Sequence, residues 1–350
     1  MDLFKSSALV LVTVVGAGCA SSDGSSATAL SSKGSLKPDI AGLIDRQSEP
    51  SSAYDGILAG WVVNVGWSDL QPNEGGAIVH PNPIDDALTA VAQRTGMRLK
   101  IRFEKSSSGA GALGEPAWVQ HLGGDPVQVT DPTDGATGLV GRWWTSQFRD
   151  AYADLQTKLA AAYDGNAAIA DVTIARCTTI YSEPFIRDIS SAATVQALLA
   201  AHYTVAADEQ CQEDQITAHD VWKHTHSSLS FNPYETIAQD GTVGQDEAFT
   251  ESMMSDCRSV LGERCTLENN SIRQSSLGGS YDQMYAAMKA EGPWIHFQTA
   301  TSAKVGDLPT VLQWAVGEGA NAVELPGGYE NLISTSALEH YASELAEDPQ

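Results

Sequence analysis

The sequence is poor in basic residues and has no long apolar run. Lys and Arg number 20 against 44 Asp and Glu, which gives a net charge of −24. A field of that sign repels phosphate backbones and anionic headgroups, so we expect no nucleic-acid partner and no direct adsorption to a membrane surface. The 8 Trp, 10 Tyr and 7 Phe exclude a chain that is disordered throughout.

Several signatures of cofactor and nucleophile chemistry are also missing. No Gly-rich phosphate loop follows the first predicted strand, and no GxSxG elbow presents a nucleophilic serine. No CxxC pair or His pair at i, i+4 offers metal ligands. We therefore expect neither a cofactor nor a metal.

The first residues indicate an export signal. Lys5 precedes an apolar run at residues 8–15, and Gly16, Ala17 and Gly18 come before Cys19. A charged start, a short apolar middle and small residues at the cut are typical of a secretory signal. The segment resembles a bacterial lipoprotein signal, which implies removal of residues 1–18 and lipidation of Cys19; plain secretion is the alternative.

Residues 19–35 are rich in Ser and Gly and predict a flexible tether. The remaining chain, 36–350, is predicted to be one domain. Together with the signal, this organisation predicts an exported protein of the bacterial cell envelope whose contact with the membrane is the lipid on Cys19.

Four further cysteines support export. Cys177, Cys211, Cys257 and Cys265 are an even number, which in an exported chain predicts two disulfides. Three pairings are possible. A bond between Cys257 and Cys265 would close a small loop and leave Cys177 for Cys211, and buried free thiols are the alternative.

Strand-like and helix-like patterns alternate along residues 36–350. Strands are predicted at 39–43, 57–66, 97–103, 172–177, 227–231, 264–267, 294–297 and 322–325. Helices are predicted at 83–95, 145–164, 192–202, 215–224, 247–261, 281–290, 308–318 and 332–346, with a long loop at 105–141. Eight such units predict an α/β fold, a (β/α)8 TIM barrel, with an open doubly wound sheet as the alternative.

Three short motifs carry a resemblance to a known family. They are GWSDLQP at 66–72, EPAW at 115–118 and YSEP at 181–184. In this order and spacing they resemble the clan of retaining glycoside hydrolases that contains cellulases and β-galactosidases, nearest the β-galactosidase-like members. The resemblance implies a carbohydrate substrate and places Glu183 at the end of strand four as the acid/base.

The sequence departs from that clan at two positions. The clan's nucleophilic Glu lies at the end of strand seven, where this chain has Gln298, and Ser182 stands where the clan has Asn. A carboxamide cannot act as a carboxylate nucleophile, so a second acid is needed. The candidates are Glu324 at the end of strand eight, opposite Glu183, then Glu268 at the end of strand six, and Glu104 after strand three.

Other residues near predicted strand ends suit sugar binding, because aromatic planes stack on sugar rings and polar groups bond hydroxyls. The candidates are Trp67, Arg102, Trp118, Trp144, Asn232, Asn269, His296 and Gln298. The alternative for the tryptophans is packing between strands and helices, and for His296 a core position.

The sequence therefore predicts an O-glycosyl hydrolase-like protein that acts on an oligo- or polysaccharide by carboxylate general acid/base catalysis. Gln298 motivates the alternative, a catalytically inactive carbohydrate-binding surface lipoprotein on the same barrel.

Overall fold

The computed structural model of the chain describes residues 35–105, 111, 113–279 and 281–347. Eight parallel strands close into a barrel in which each strand pairs with its neighbours in sequence. They are β1 Gly42–Asp45, β2 Leu58–Val65, β3 Arg98–Phe103, β4 Ile169–Ile174, β5 His226–Ser230, β6 Cys265–Ile272, β7 Ile295–Thr299 and β8 Ala322–Leu325. Gly42 of β1 pairs with Ala322 of β8, which closes the ring. The predicted (β/α)8 barrel is confirmed.

Helices connect the strands. They are α1 Trp67–Leu70, α2 Pro83–Val91, α3 Ala117–Gln120, α4 Ser146–Tyr163, α5 Ala192–Ala200, α6 Val205–Ala218, α7 Glu247–Leu261, α8 Asp282–Ala290, α9 Leu308–Gly317 and α10 Thr335–Ala346. The long helix α4 shows how its sequence pattern predicts a helix. The Thr145 side chain caps its first turn by accepting from the Phe148 amide, and Tyr152, Leu155 and Leu159 recur on its buried face.

The prediction from the sequence was wrong at elements whose buried positions are polar. The helix predicted at 215–224 is instead α6, Val205–Ala218, whose buried face includes Asp208, Gln212 and Gln215. Apolar periodicity gives no signal for such a helix. Strand β6 likewise runs to Ile272, beyond the predicted end at residue 267, through polar residues.

Two antiparallel hairpins were not predicted. Val127–Thr130 pairs with Thr137–Val140 inside the predicted loop at 105–141, and Tyr234–Ile237 pairs with Val243–Asp246 after β5. Both follow the carboxyl end of a barrel strand, so they add height to the end of the barrel where the chemistry of this fold is found.

The inside of the barrel is polar. On β3 the outward residues Leu99, Ile101 and Phe103 join the large apolar core that includes the helices, whereas the alternate residues Lys100 and Arg102 are buried without joining it. A small separate apolar cluster comprises Ile40, Ile44, Val62, Ala170 and Ala322. Barrel interiors are usually filled by layers of branched apolar side chains, so this interior must be held together by hydrogen bonds and ion pairs.

Two disulfides are present, as predicted. Cys177 after β4 is bonded to Cys211 of α6, and Cys257 of α7 is bonded to Cys265 at the start of β6. In the described residues no helix is both long and apolar enough to span a bilayer. The predicted signal, Cys19 and almost all of the tether lie outside the described residues.

We expect the two disulfides to differ in their contribution to stability, because they close loops of 34 and 8 residues. On the chain-entropy model the longer loop is worth about 4 kcal/mol and the shorter about 2.5 kcal/mol. The double variant Cys177→Ala/Cys211→Ala should therefore unfold at lower urea than Cys257→Ala/Cys265→Ala. Equal midpoints, or the reverse order, would contradict this expectation.

Candidate active site at the barrel mouth

A cavity of about 630 Å³ opens at the carboxyl ends of the strands. Its lining includes Arg46 after β1, Asn64 on β2, Glu104 after β3, Glu183 beyond β4 and Gln298 on β7. Because the carboxyl ends of parallel strands meet at one edge, residues far apart in sequence converge here. In this fold that edge is where active sites are built.

Glu183 lies in this cavity, but not directly at the end of a strand. Strand β4 ends at Ile174, so Glu183 belongs to the following loop. The loop is firmly held: the Ser182 hydroxyl donates to the Phe103 carbonyl at 2.7 Å, and the Tyr181 hydroxyl donates to Asp131 at 2.8 Å. Tyr181 also has a φ of 48°. A bulky residue in the left-handed region is costly and persists where its surroundings fix it, as at functional sites.

The carboxyl of Glu183 is tuned toward its protonated form. Its pKa is raised to about 7, first by burial and then by the nearby carboxylate of Glu104, while a hydrogen bond from Asn270 and the charge of Arg102 oppose the shift. A carboxyl with a pKa near 7 is substantially protonated at neutral pH. It can therefore donate a proton there, which an ordinary surface glutamate cannot.

Glu104 is the second carboxylate of the cavity. It directly follows β3 and is partly exposed. Burial raises its pKa, and Arg102 and Arg46 oppose the shift. The two acids therefore lie close enough to interact in one cavity, with Glu104 under the influence of two guanidinium groups.

The other two predicted acids are bound to buried cations. Lys100 Nζ lies 2.7 Å from Glu268 Oε2 and 3.0 Å from Glu324 Oε1, and Arg102 Nη2 lies 3.3 Å from Glu268 Oε1 and 2.5 Å from Glu324 Oε1. We call these four side chains the ion cluster. All are almost completely buried. Neither Glu268 nor Glu324 lines the cavity.

The ion cluster also changes the titration of its acids. Burial opposes ionisation of Glu324, but Arg102 and Lys100 outweigh it and hold the pKa of that carboxyl well below its ordinary value. For Glu268 burial prevails over Lys100, so its pKa is raised. Glu268 is also mid-strand, because β6 continues to Ile272; its predicted place at a strand end was wrong.

His296 lies in a further buried polar group, with Asp39 and Asp171. Its Nε2 is 3.3 Å from Asp39 Oδ2 and its Nδ1 is 3.9 Å from Asp171 Oδ2. Burial lowers the pKa of His296, but Asp39 outweighs it and the pKa is raised. The three side chains have ligand atoms within 4.8 Å of one another and could hold a metal ion. However, the Lys100 ammonium, 3.4 Å from Asp171, opposes a further cation.

Arg102 and Gln298 line the cavity as predicted sugar-binding residues would. Gln298 accepts from Arg46 Nη1 at 3.2 Å and donates to Glu324 Oε2 at 3.2 Å. Both side chains therefore connect the ion cluster to the cavity. Gln298 occupies the end of β7, where the family resemblance led us to expect a nucleophile.

The predicted tryptophans do not line the cavity in the part of the chain that the structure describes. Trp67 is completely buried and meets Trp118 edge to face, with ring centroids 6.0 Å apart. Trp144 meets Tyr203 in the same way at 5.5 Å. These tryptophans therefore pack against other aromatic side chains, whereas the alternative considered for them was packing between strands and helices.

The two predicted asparagines are also buried in the shell of the barrel. Asn269 donates to the Phe231 carbonyl and accepts from the Tyr285 hydroxyl of α8, and the Asn232 carbonyl accepts from Thr250. Because side chains alternate along a strand, it is Asn270 that faces the cavity.

The sequence did not single out Asn270, Tyr181, Arg46, Arg273 or Lys304, all of which line the cavity. Arg46 and Arg273 directly follow β1 and β6, and Asn270 lies within β6, but the sequence pattern predicts ends for both strands that come too early for these residues to be recognised. Tyr181 was quoted within the YSEP motif without a role of its own.

Neither a family model nor a curated protein matches this chain. Among solved structures, an endoglucanase of Pseudomonas stutzeri is 10% identical with a TM-score of 0.46, covering 90% of this chain and 98% of its own. Endo-glycoceramidase II from Rhodococcus sp., as a lactosyl-enzyme intermediate, is 12% identical with a TM-score of 0.44, covering 83% and 75%. An endo-beta-1,4-glucanase of Xanthomonas axonopodis pv. citri is 10% identical, covers 83% and 86%, and has a TM-score of 0.44. Likeness at this level carries no information about activity.

Removing the lysine of the ion cluster should be strongly destabilising. Lys100→Met leaves Glu268 buried without its ammonium partner, so we expect a loss of about 3–5 kcal/mol at pH 7 by urea unfolding. Lys158→Met is the matched control, because Lys158 pairs with Asp154 at the surface and should cost less than about 1 kcal/mol. Similar losses for the two variants would show that the cluster is not what holds the barrel interior.

Glu183→Gln should make the protein more stable at alkaline pH. The folded pKa of about 7 lies above the ordinary value of 4.5, so wild type loses stability as pH rises between these values, and Gln does not. We expect a gain of about 1–3 kcal/mol at pH 8 and a much smaller one at pH 4. The exposed Glu263→Gln should show no such difference. A variant no more stable than wild type at pH 8 would disprove the shift.

Proposed function

We propose that this protein cleaves a glycosidic bond in an oligo- or polysaccharide, with Glu183 as the proton donor and Glu104 as its partner carboxylate. The observation that carries the proposal is the raised pKa of Glu183 beside Glu104 in one cavity. Glycoside hydrolysis needs two carboxyl groups in different protonation states at a sugar-sized opening.

The pKa values of both acids are raised, but two guanidinium groups, those of Arg102 and Arg46, oppose the rise for Glu104, so we assign the proton to Glu183 and the negative charge to Glu104. The protonated carboxyl of Glu183 donates to the glycosidic oxygen as the bond to the anomeric carbon breaks. The carboxylate of Glu104 stabilises the oxocarbenium-like transition state. In one route it attacks the anomeric carbon and forms a glycosyl ester, which is then hydrolysed by a water that gives its proton to the now ionised Glu183; in the other it takes the proton of a water that attacks the anomeric carbon directly. The first route retains the anomeric configuration and the second inverts it, so the anomer released identifies the route. In both, Asn270 orients Glu183.

This assignment accounts for Gln298. The carboxylate comes from the end of β3 and not from β7, so the amide at position 298 does not remove the second acid. Instead, Gln298 links Arg46 to Glu324 beneath the cavity. The pair that we predicted from the sequence, Glu183 with Glu324 or Glu268, is thereby replaced by Glu183 with Glu104.

We further propose that the protein is exported and anchored in the cell envelope through Cys19. Two disulfides support an oxidising compartment, and the sequence of residues 1–19 supports the anchor.

A carbohydrate-binding protein without turnover is the second candidate function. Gln298 at the end of β7 favours it, because the resembled clan uses a glutamate there. The same cavity would then bind a saccharide without cleaving it.

Glu183→Gln and Glu104→Gln should each lower hydrolysis by about 10²–10⁴-fold, since each removes one of two acid/base groups, while saccharide binding persists. Wild-type kcat should fall as pH rises above about 7, where Glu183 loses its proton. Reducing-end release from a polysaccharide panel measures activity, and calorimetry measures binding.

Glu115→Gln is the matched control. Burial also raises the pKa of Glu115, to about 8, but its carboxylate accepts from the Gly141 amide and does not line the cavity. Its activity should equal that of wild type. Full activity of Glu183→Gln would refute the proposal, and binding without any hydrolysis by wild type would favour the second candidate.

A further inference from the structure

The charge of the cavity is opposite to that of the chain. The whole sequence has 20 basic and 44 acidic residues. The lining of the cavity has five basic residues and two acidic ones, Glu104 and Glu183. The basic five are Arg46, Arg102, Lys105, Arg273 and Lys304. A local reversal of this kind favours an anionic ligand.

Not all five cations are available to a ligand. Arg102 pairs with Glu324 and Glu268, and Lys105 pairs with Asp69 at 2.5 Å. Arg273 and Lys304, in contrast, make no ion pair with any residue that the structure describes, and both are at least partly exposed. Arg273 and Lys304 therefore lack an ion-pair partner among the residues that the structure describes.

These two cations are neighbours. Arg273 directly follows β6 and Lys304 lies in the loop after β7, and these strands are paired in parallel. The backbone N–H of Gln274 donates to the backbone carbonyl of Val305 at 3.0 Å. That bond joins the residues next to Arg273 and Lys304, so their side chains start from adjoining backbone. The two form a cationic edge on the β6–β7 side of the cavity.

Arg46 extends this edge. It follows β1, and its guanidinium is fixed by donating to Gln298 Oε1 at 3.2 Å and to the Thr299 carbonyl at 2.6 Å. Both acceptors are neutral, so its charge is not cancelled by an ion pair in the described residues. Glu183 and Glu104 follow β4 and β3 instead, so the cavity carries its acids and its unpaired cations on different strands.

The lining offers little surface for stacking. Tyr181 is the one aromatic side chain among the lining residues that the structure describes. Neutral sugars are commonly held by aromatic planes against their apolar faces. Recognition in this cavity must therefore depend more on charge and hydrogen bonds.

We propose that the saccharide bound here is anionic, with a carboxylate or sulfate ester held by Arg273 and Lys304 and, beside them, Arg46. This inference names the class of substrate for the proposed glycoside-cleaving site, and for cleavage it rests on that proposed function. Binding of the anionic saccharide can be tested without cleavage.

The test is calorimetric titration of the purified full chain with three oligosaccharide probes of similar length. Oligoalginate supplies uronate carboxylates, chondroitin sulfate oligosaccharides supply sulfate esters together with uronates, and cello-oligosaccharides are neutral. We expect at least one acidic probe to bind ten or more times tighter than the neutral one, with affinity falling as salt is raised. Preference for alginate alone would indicate the carboxylate, and preference for chondroitin sulfate would indicate the sulfate.

The matched variants locate the binding. The double variant Arg273→Gln/Lys304→Gln should bind the preferred acidic probe about tenfold or more weaker than wild type, and its affinity for the neutral probe should be unchanged. Arg149→Gln/Lys289→Gln removes two exposed charges that do not line the cavity and should change neither. Unchanged acidic binding in the first double variant would overturn the inference.

Failure of this inference can be told from failure of the proposed function. If neutral oligosaccharides bind as tightly and are cleaved, the anionic preference is wrong and the glycoside hydrolase stands. If an acidic probe binds in a manner that depends on Arg273 and Lys304 but is not cleaved, the preference stands and the hydrolase is wrong.

Discussion

The barrel depends on two cations buried at its centre. Lys100 and Arg102, alternate residues of β3, each contact both Glu268 and Glu324. Removing four charges from water is costly, and it is tolerated only where each charge meets a close partner of opposite sign. In the ion cluster, ion pairs of this kind connect β3 with β6 and β8. They hold together strands that are usually held by apolar side chains packed inside the barrel. Arg102 also lines the cavity, so the same contacts that close the barrel shape its mouth.

Burial has different outcomes for Glu324 and Glu183, although contact with the two cations does not lower every pKa, since Glu268 also contacts both and its pKa is raised. Glu324 touches both cations, and its pKa is held well below its ordinary value. Glu183 has the more distant influence of Arg102 and one hydrogen bond from Asn270, and burial raises its pKa to about 7. Environments that push two acids apart are how one protein assigns one to structure and another to proton transfer. Glu324, the first partner predicted for Glu183 from the sequence, is held in the ion cluster, whereas Glu183 itself lines the cavity.

The sequence predicted those elements whose buried face is apolar. Helix α7 has the bounds expected from its pattern, because the helix period is visible when core residues are hydrophobic. The predicted bounds were wrong for α6 and for the end of β6, where buried side chains are polar. The sequence identified Glu183 through a motif, but could not show that Glu324 meets Arg102, 222 positions away. Pairings of that separation exist only after the barrel closes.

The cavity is lined mainly by cations, whereas the whole protein has a net charge of −24, so the two act differently on an approaching anion. The overall field repels an anionic saccharide at a distance, but at physiological ionic strength that field is screened beyond about 8 Å. Arg273 and Lys304 line the cavity, so the proposed acidic group would lie close to these two cations once bound. Salt therefore acts on two opposing effects: it reduces the long-range repulsion that slows approach, and it weakens the short-range attraction that holds the ligand. Such a site would bind the proposed anionic ligand by contact and not by long-range steering, so its selectivity would depend on the few side chains after β6 and β7.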